Sequence, residues 1–207
     1  MKRLSHSHLL LRVCSMGLLL GGCVIKPAQV PTRHFVLAPI SGSEHARVGA
    51  QPLFVEVSFV KMPSYLLRDS MVVRKSADEV EYLETALWAE RLDQSFRQTL
   101  AENLSLLLAS DRAYLAAAER DRAVVRVSVD VEQFDVDAEG RGTLLAAWRL
   151  TAAGSDKPIQ SGQARLIRPG PSPRGHPQAI AATLSELVAE FSRDLAPALR
   201  ESAQARQ

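Results

Sequence analysis

The sequence predicts an α+β domain: a mixed, largely antiparallel sheet with two long amphipathic helices packed on one face. Three observations carry this expectation. Val125, Val127, Val129 and Val131 alternate with Arg126, Ser128, Asp130 and Glu132, the two-residue period of a strand with one wet face. Leu92, Phe96, Leu100 and Leu104 recur every four residues, the stripe of an amphipathic helix. These patterns follow one another as strands, helix, three strands, helix, which differs from the strict strand–helix alternation of parallel α/β domains.

Residues 33–37 read as a short strand stopped by Pro39, followed by a polar loop over 41–51. Residues 53–60 form a strand whose Leu53, Val55, Val57 and Phe59 share one face, opposite Glu56 and Ser58. Alternation fails over 62–68, the sequence Met-Pro-Ser-Tyr-Leu-Leu-Arg, which is therefore a loop. Residues 71–74 and 80–83 are two strands joined by the polar turn Ser76-Ala77-Asp78. The helical period then covers 86–109, with no proline or glycine to interrupt it. Burying six of its large side chains, at about 1.5–3 kcal/mol each, outweighs any propensity term.

In the second β region Phe134 falls out of phase with the valine series, so a bulge is expected near Gln133. Residues 137–142 carry turn chemistry, and Leu144, Ala146, Trp148 and Leu150 share the buried face of the return strand. A turn over 154–158 leads into a third strand at 159–167, completing an antiparallel meander. The stiff connection 168–175 precedes a last helix whose first turn suits Pro177. Its stripe is Ile180, Leu184, Leu187, Val188, Phe191, Leu195 and Leu199; Pro197 weakens its end.

The N-terminus has a different character. Lys2, Arg3 and Arg12 precede an apolar run over 13–20, then Gly21, Gly22 and Cys23. This is the charged head, apolar centre and small-residue cleavage site of a secretory signal. A cysteine at the first mature position resembles a bacterial lipobox, which implies lipidation of Cys23 by diacylglycerol and an N-acyl chain such as palmitate. The apolar run is far shorter than the ~20 residues that span a bilayer. Cys14 lies inside it and leaves with the signal. The expected organisation is a signal at 1–22, a lipidated tether at 23–32, a domain at 33–200 and a frayed tail at 201–207.

Of 25 Lys+Arg and 23 Asp+Glu, three basic residues and no acidic ones lie in the signal. The mature chain is therefore near neutral, at −1, and lacks the concentrated basic face of a nucleic-acid binder. With Cys23 its only cysteine, packing rather than an intrachain disulfide must hold the fold. His34, His45 and His176 are widely separated and lack companions at ligand spacing, so neither a metal nor a non-covalent cofactor is expected. There is no G-x-S-x-G elbow. Gly140 and Gly142 around Arg141 read as a hairpin turn rather than a phosphate cradle, because no helix N-terminus follows. Asp130 with Glu132, and Asp135 with Asp137, read as a solvated strand face. The chain is not expected to be an enzyme.

Two features stand out from an ordinary core. Tyr65, Leu66 and Leu67 place apolar bulk in a loop, as a partner contact or as a cap over the sheet end. Trp88 leads the first helix, as a core-edge anchor or as an interface residue.

The order of segments resembles a known family. The lipobox is followed by Phe35-Val36-Leu37, Val55-Glu56-Val57, the 62–68 loop and Met71-Val72-Val73-Arg74. Then come Glu81-Tyr82-Leu83-Glu84, Leu87-Trp88-Ala89-Glu90-Arg91-Leu92, Leu100-Ala101-Glu102-Asn103-Leu104 and Val131-Glu132-Gln133-Phe134. Over nearly the whole mature chain this is similar to the PqiC-type lipoproteins, auxiliary subunits of MCE-type ABC transport systems. The departures are Leu67, where the family often has a polar residue, and Arg91, where a helix-starting proline is usual. The resemblance implies a non-enzymatic subunit, anchored on the periplasmic face of the outer membrane, that docks the periplasmic MCE-domain tunnel for lipid trafficking and envelope integrity. Val24, after Cys23, is not the aspartate that retains such lipoproteins in the inner membrane. Tyr65, Leu66, Leu67 and Trp88 become the candidate partner-binding residues. A ring-like homo-oligomer would match a ring-shaped tunnel. The alternative is a lipoprotein that carries lipid or another hydrophobic cargo in its own cavity.

Overall fold

In the computed structural model the described residues are 30–41, 53–108, 113–114 (backbone), 125–152 and 154–204. Cys23 and the signal lie outside them, as do His45 and most of the 41–51 loop. Residues from Thr32 onward form one compact unit. Among the described residues eight strands make one sheet: β1 (Arg33–Phe35), β2 (Val55–Lys61), β3 (Ser70–Arg74), β4 (Val80–Trp88), β5 (Ala113–Tyr114), β6 (Val125–Asp137), β7 (Gly142–Ala152) and β8 (Pro158–Arg168). The α-helices of the described residues are α1 (Leu92–Leu107), between β4 and β5, and α2 (Gln178–Gln204), after β8.

The meander β6–β7–β8 is antiparallel throughout. The long β6 is also the hub of the other half. Its first half pairs in parallel with β2, and its last two residues, Val136 and Asp137, pair in parallel with Val73 and Arg74 of β3. β3 pairs antiparallel with β4, and β4 carries β1 in parallel at its far end. A parallel ladder cannot be closed by a hairpin, and the β2-to-β6 crossover runs through α1.

Both helices cover one face. There Val125, Val127, Val129, Val131, Phe134 and Val136 are buried. Phe96 of α1 meets Phe134 edge-on with ring centroids 5.1 Å apart, and lies 6.2 Å from Phe191 of α2. One fully buried polar side chain stitches this layer. Asn103 accepts the Ile40 N–H at 2.8 Å and donates to Ser192 Oγ at 3.2 Å. Ser185 Oγ likewise accepts the Ala38 N–H, at 2.9 Å. The 36–41 segment is thus fixed through its backbone.

Several expectations need correction. A bulge at Ser58 breaks the phase of β2: Val60, not Phe59, faces the helices, and Phe59 is 56% exposed on the other face. The Ser58 hydroxyl steadies the bulge by donating to the Val127 carbonyl. The bulge in β6 falls between Val131 and Gln133, as the phase change of Phe134 required. Residues 86–88 are strand rather than helix, because β1 pairs with them from Arg33 to Phe35, so α1 begins only at Leu92. α2 runs through Pro197 to Gln204, so most of the expected tail is helical. Ser202 and Ala203 are buried, and the Ser202 hydroxyl donates to Gln160 Oε1. Proline withholds only one helical donor, and buried Ala196, Ala198 and Leu199 hold the turn around it. Trp148 is half-buried, its indole close against Gly162, where a Cβ would lie 2.5 Å from the ring.

The 137–142 segment is a hairpin turn. Asp137 Oδ1 accepts the Glu139 and Arg141 N–H groups, while Oδ2 pairs with the Arg141 guanidinium. Gly140 has φ of +96° and packs so closely on Pro171 that a Cβ would sit 2.3 Å from its carbonyl oxygen. Conformation and contact both demand glycine there.

Candidate docking site

The 62–68 loop leaves β2 at the end of the helix-free face. Pro63, with φ of −57°, opens a single 3₁₀ turn over Ser64–Leu66. The Leu66 N–H donates to the Pro63 carbonyl and the Leu67 N–H to the Ser64 carbonyl. This turn directs Leu66 inward, where it is 3% exposed, and leaves Tyr65 and Leu67 half-buried.

Tyr65 lies across the sheet, and its hydroxyl donates to Asp135 Oδ2 at 2.8 Å. Asp135 belongs to β6, yet its side chain is only 1% exposed. Arg74 of β3 reaches the same carboxylate with Nε, at 3.1 and 3.0 Å from the two oxygens, and with Nη2 at 2.6 Å. Nη2 also donates to the Tyr65 hydroxyl, and Nη1 to the carbonyls of Ser76 and Ala77 in the β3–β4 turn. Gln133 Nε2 completes the carboxylate's shell at 2.8 Å. One buried anion therefore collects donors from loop, β3 and β6, the condition under which a buried charge is tolerated.

The electrostatics follow from that geometry. Burial, reinforced by the neighbouring carboxylate of Asp135, raises the Tyr65 phenol well above the ordinary tyrosine value. The hydrogen bond to Asp135 holds the Arg74 guanidinium charged more firmly still. Asp135 had read as part of a solvated face. The structure buries it because Tyr65 closes over the sheet at that point.

Beside this cluster, the Tyr82 hydroxyl donates to the Tyr65 carbonyl at 3.3 Å, and the Arg68 guanidinium sits 4.7 Å over the Tyr82 ring. The loop closes where the Trp88 N–H donates to the Asp69 carbonyl at 2.7 Å. Trp88 is the last residue of β4, in register with Phe35 and 6% exposed. Of the four candidates, Tyr65 and Leu67 thus offer side-chain surface, whereas Leu66 and Trp88 anchor the loop from within. Sequence reading missed Arg74, Gln133, Tyr82 and Asp135. The available signal was the run Phe134-Asp135-Val136 behind a bulge, a carboxylate between two core residues.

Among the described residues no group of three or more His, Cys, Asp or Glu is placed to hold a metal ion. None of their helices is long and apolar enough to cross a membrane. His34 and His176 are both exposed.

The fold has known counterparts. A protein of the DUF330 family from Xanthomonas campestris matches with a TM-score of 0.69 and 14% identity, over 84% of this chain and 98% of its own. The crystal structure of an uncharacterised protein matches with a TM-score of 0.61 and 20% identity, over 82% of this chain and 99% of its own. No curated protein matches by sequence. At these identities the structures establish a shared fold. The family model for the ABC-type transport auxiliary lipoprotein component matches residues 35–196, from β1 almost to the end of α2. The chain belongs to the family of ABC-type transport auxiliary lipoprotein components.

Proposed function

We propose that the protein is held to the periplasmic face of the outer membrane by acyl chains on Cys23. There it docks the periplasmic MCE-domain component of an ABC-type transporter for lipid trafficking between membranes. Family membership supports a lipoprotein in a transport system. The observation that carries docking is the braced loop: Tyr65 and Leu67 are presented on a turn fixed by Arg74, Asp135, Tyr82 and Trp88. A preordered loop loses little conformational entropy when a partner closes on it. The anchor adds to this. Each buried CH₂ contributes about 0.8 kcal/mol, so several acyl chains keep the domain at the membrane, where its effective concentration for an arriving partner is high.

The helix–sheet interface is filled by Phe96, Phe134 and Phe191, which favours docking over an internal lipid cavity. The test has two arms. Cys23→Ala should move the protein from the outer-membrane fraction to the soluble periplasm. Tyr65→Ser combined with Leu67→Ser should lower co-purification with the MCE-domain protein at least about tenfold, equivalent to ~1.4 kcal/mol, with the folded fraction at the assay temperature unchanged. Retention of the Cys23→Ala protein in the outer membrane would refute the anchor. Undiminished co-purification of the loop variant would refute the docking surface.

A further inference from the structure

We propose that two copies of this chain join edge to edge through β8, pairing antiparallel about a two-fold axis at Gln163. Three strands have a single neighbour among the described residues: β1 with three residues, β5 with two and β8 with eleven. An edge presents unpaired N–H and C=O groups, and native sheets blunt it by shortness, charge, proline or a bulge. β1 and β5 are short. The part of β4 that β1 leaves unpaired carries Glu81 and Glu84, and the part of β2 beyond β5 carries the Ser58 bulge and Lys61. β8 is the exception. It pairs with β7 alone, and between Pro158 at its start and Arg168 at its end the only charge is Arg165. Ile167 stands 52% exposed on it. α2 does not close this edge, since Gln160, Gly162, Ala164 and Leu166 on the helix side are only half-buried.

The side-chain order says that the occupant is β8 itself. A two-fold axis that relates antiparallel edges runs normal to the sheet, so the helix-covered faces of both copies lie on one side. With the axis at Gln163 the whole strand pairs, Pro158 against Arg168. The same register sets the exposed Ile167 opposite Ile159 of the second copy, and Arg165 opposite Ser161, on the helix-free side. On the helix side Gly162 meets Ala164, two small residues next to the half-buried Trp148 indole that lies over Gly162. Cross-strand apolar pairs stabilise a ladder, and like charges set opposite one another weaken it. Other registers forfeit this. An axis at Gly162 sets Ile159 against Arg165 and Ile167 against Lys157; one at Ala164 sets Ile167 against Ser161; one at Arg165 sets the two arginines face to face. A strand of another protein could use the same backbone groups, but it would not require β8 to be complementary to its own reverse.

The inference stands apart from the docking reading, which concerns the Tyr65 loop, and its outcome leaves that reading untouched. It is tested with the full-length chain in membranes of the producing cells, treated with a short bismaleimide; the unsubstituted chain is the control for Cys14 and Cys23. Gln163→Cys should give a covalent dimer as the main product. Ile167→Cys alone should give at least about tenfold less, because the register leaves the two copies of residue 167 about 26 Å apart along the strands. Producing Ile159→Cys and Ile167→Cys chains together should restore the dimer, now with one chain of each kind. Adding Gln163→Lys to both chains puts like charges at the axis and should cut this mixed dimer at least about tenfold. Gln163 and Ile167 are exposed, so the folded fraction at the assay temperature should not change. No dimer from Gln163→Cys, an equal dimer from Ile167→Cys alone, or a mixed dimer indifferent to Gln163→Lys would each overturn the proposal.

Discussion

The two faces of the sheet are held by different physics. On the helix-covered face Val127, Phe134, Leu144 and Leu150 are fully buried against Phe96, Leu104, Leu187 and Phe191, with Asn103 as the main polar exception. On the helix-free face the side chains are held by cross-strand ion pairs, and the one fully buried member is a carboxylate. The apolar face works through area and shape, so each lost methylene costs in proportion. The polar face works through completeness: Asp135 is tolerated because several donors converge on it, and removing the carboxylate leaves them all without their shared acceptor.

That contrast can be broken at several points. Phe96→Ala removes a ring touching two others and should cost about 3–5 kcal/mol in denaturant unfolding. Asp135→Ala should cost a similar ~3–5 kcal/mol by leaving Arg74 without its anion. Rescue separates the two. Adding Arg74→Leu to Asp135→Leu should recover most of that loss, whereas no single second substitution should refill the Phe96 cavity. An Asp135 loss that Arg74→Leu cannot reduce would mean that packing, not charge, dominates the cluster.

Asn103→Ala leaves the Ile40 N–H and the Ser192 hydroxyl without this partner, and should cost about 1–3 kcal/mol. Proteolysis should then begin near residues 36–41. Tyr65 gives the pH dependence. Because its phenol is raised, first by burial and then by Asp135, its contribution is complete below the ordinary tyrosine value of about 10. That contribution is lost as pH climbs toward the folded-state value. Alkaline unfolding of the wild type should therefore include a component that Tyr65→Phe lacks. The smallest effect belongs to Thr183, whose buried hydroxyl has no hydrogen-bond partner among the described residues. Thr183→Val should lie within about 0.5 kcal/mol of wild type, or stabilise slightly.

Legibility in the sequence followed the same division. The valine series of β6, the Leu92–Leu104 stripe and the stripe of α2 were readable because burial on one face imposes a period. The β6 bulge was readable too, because Phe134 broke that period. The Ser58 bulge was not, since Phe59 fitted an unbroken alternation equally well. Asp135 looked like a solvated acid because its partners lie 61 and 70 positions away in the chain. Only one of the two Leu residues in the loop is core, and a one-turn 3₁₀ helix decides which.

The sequence by itself determined the class of fold, the meander, both helices, the hairpin at Gly140 and the Cys23 motif. Each is written in local order, as a period of two or four, a turn dipeptide or an apolar run. Tertiary structure alone decided the parallel joins of β6 to β2 and β3, the burial of Asp135 under Tyr65, and the outward turn of Phe59. Those depend on strands that meet only after folding, and hydrogen-bond geometry between distant segments leaves no local period to read.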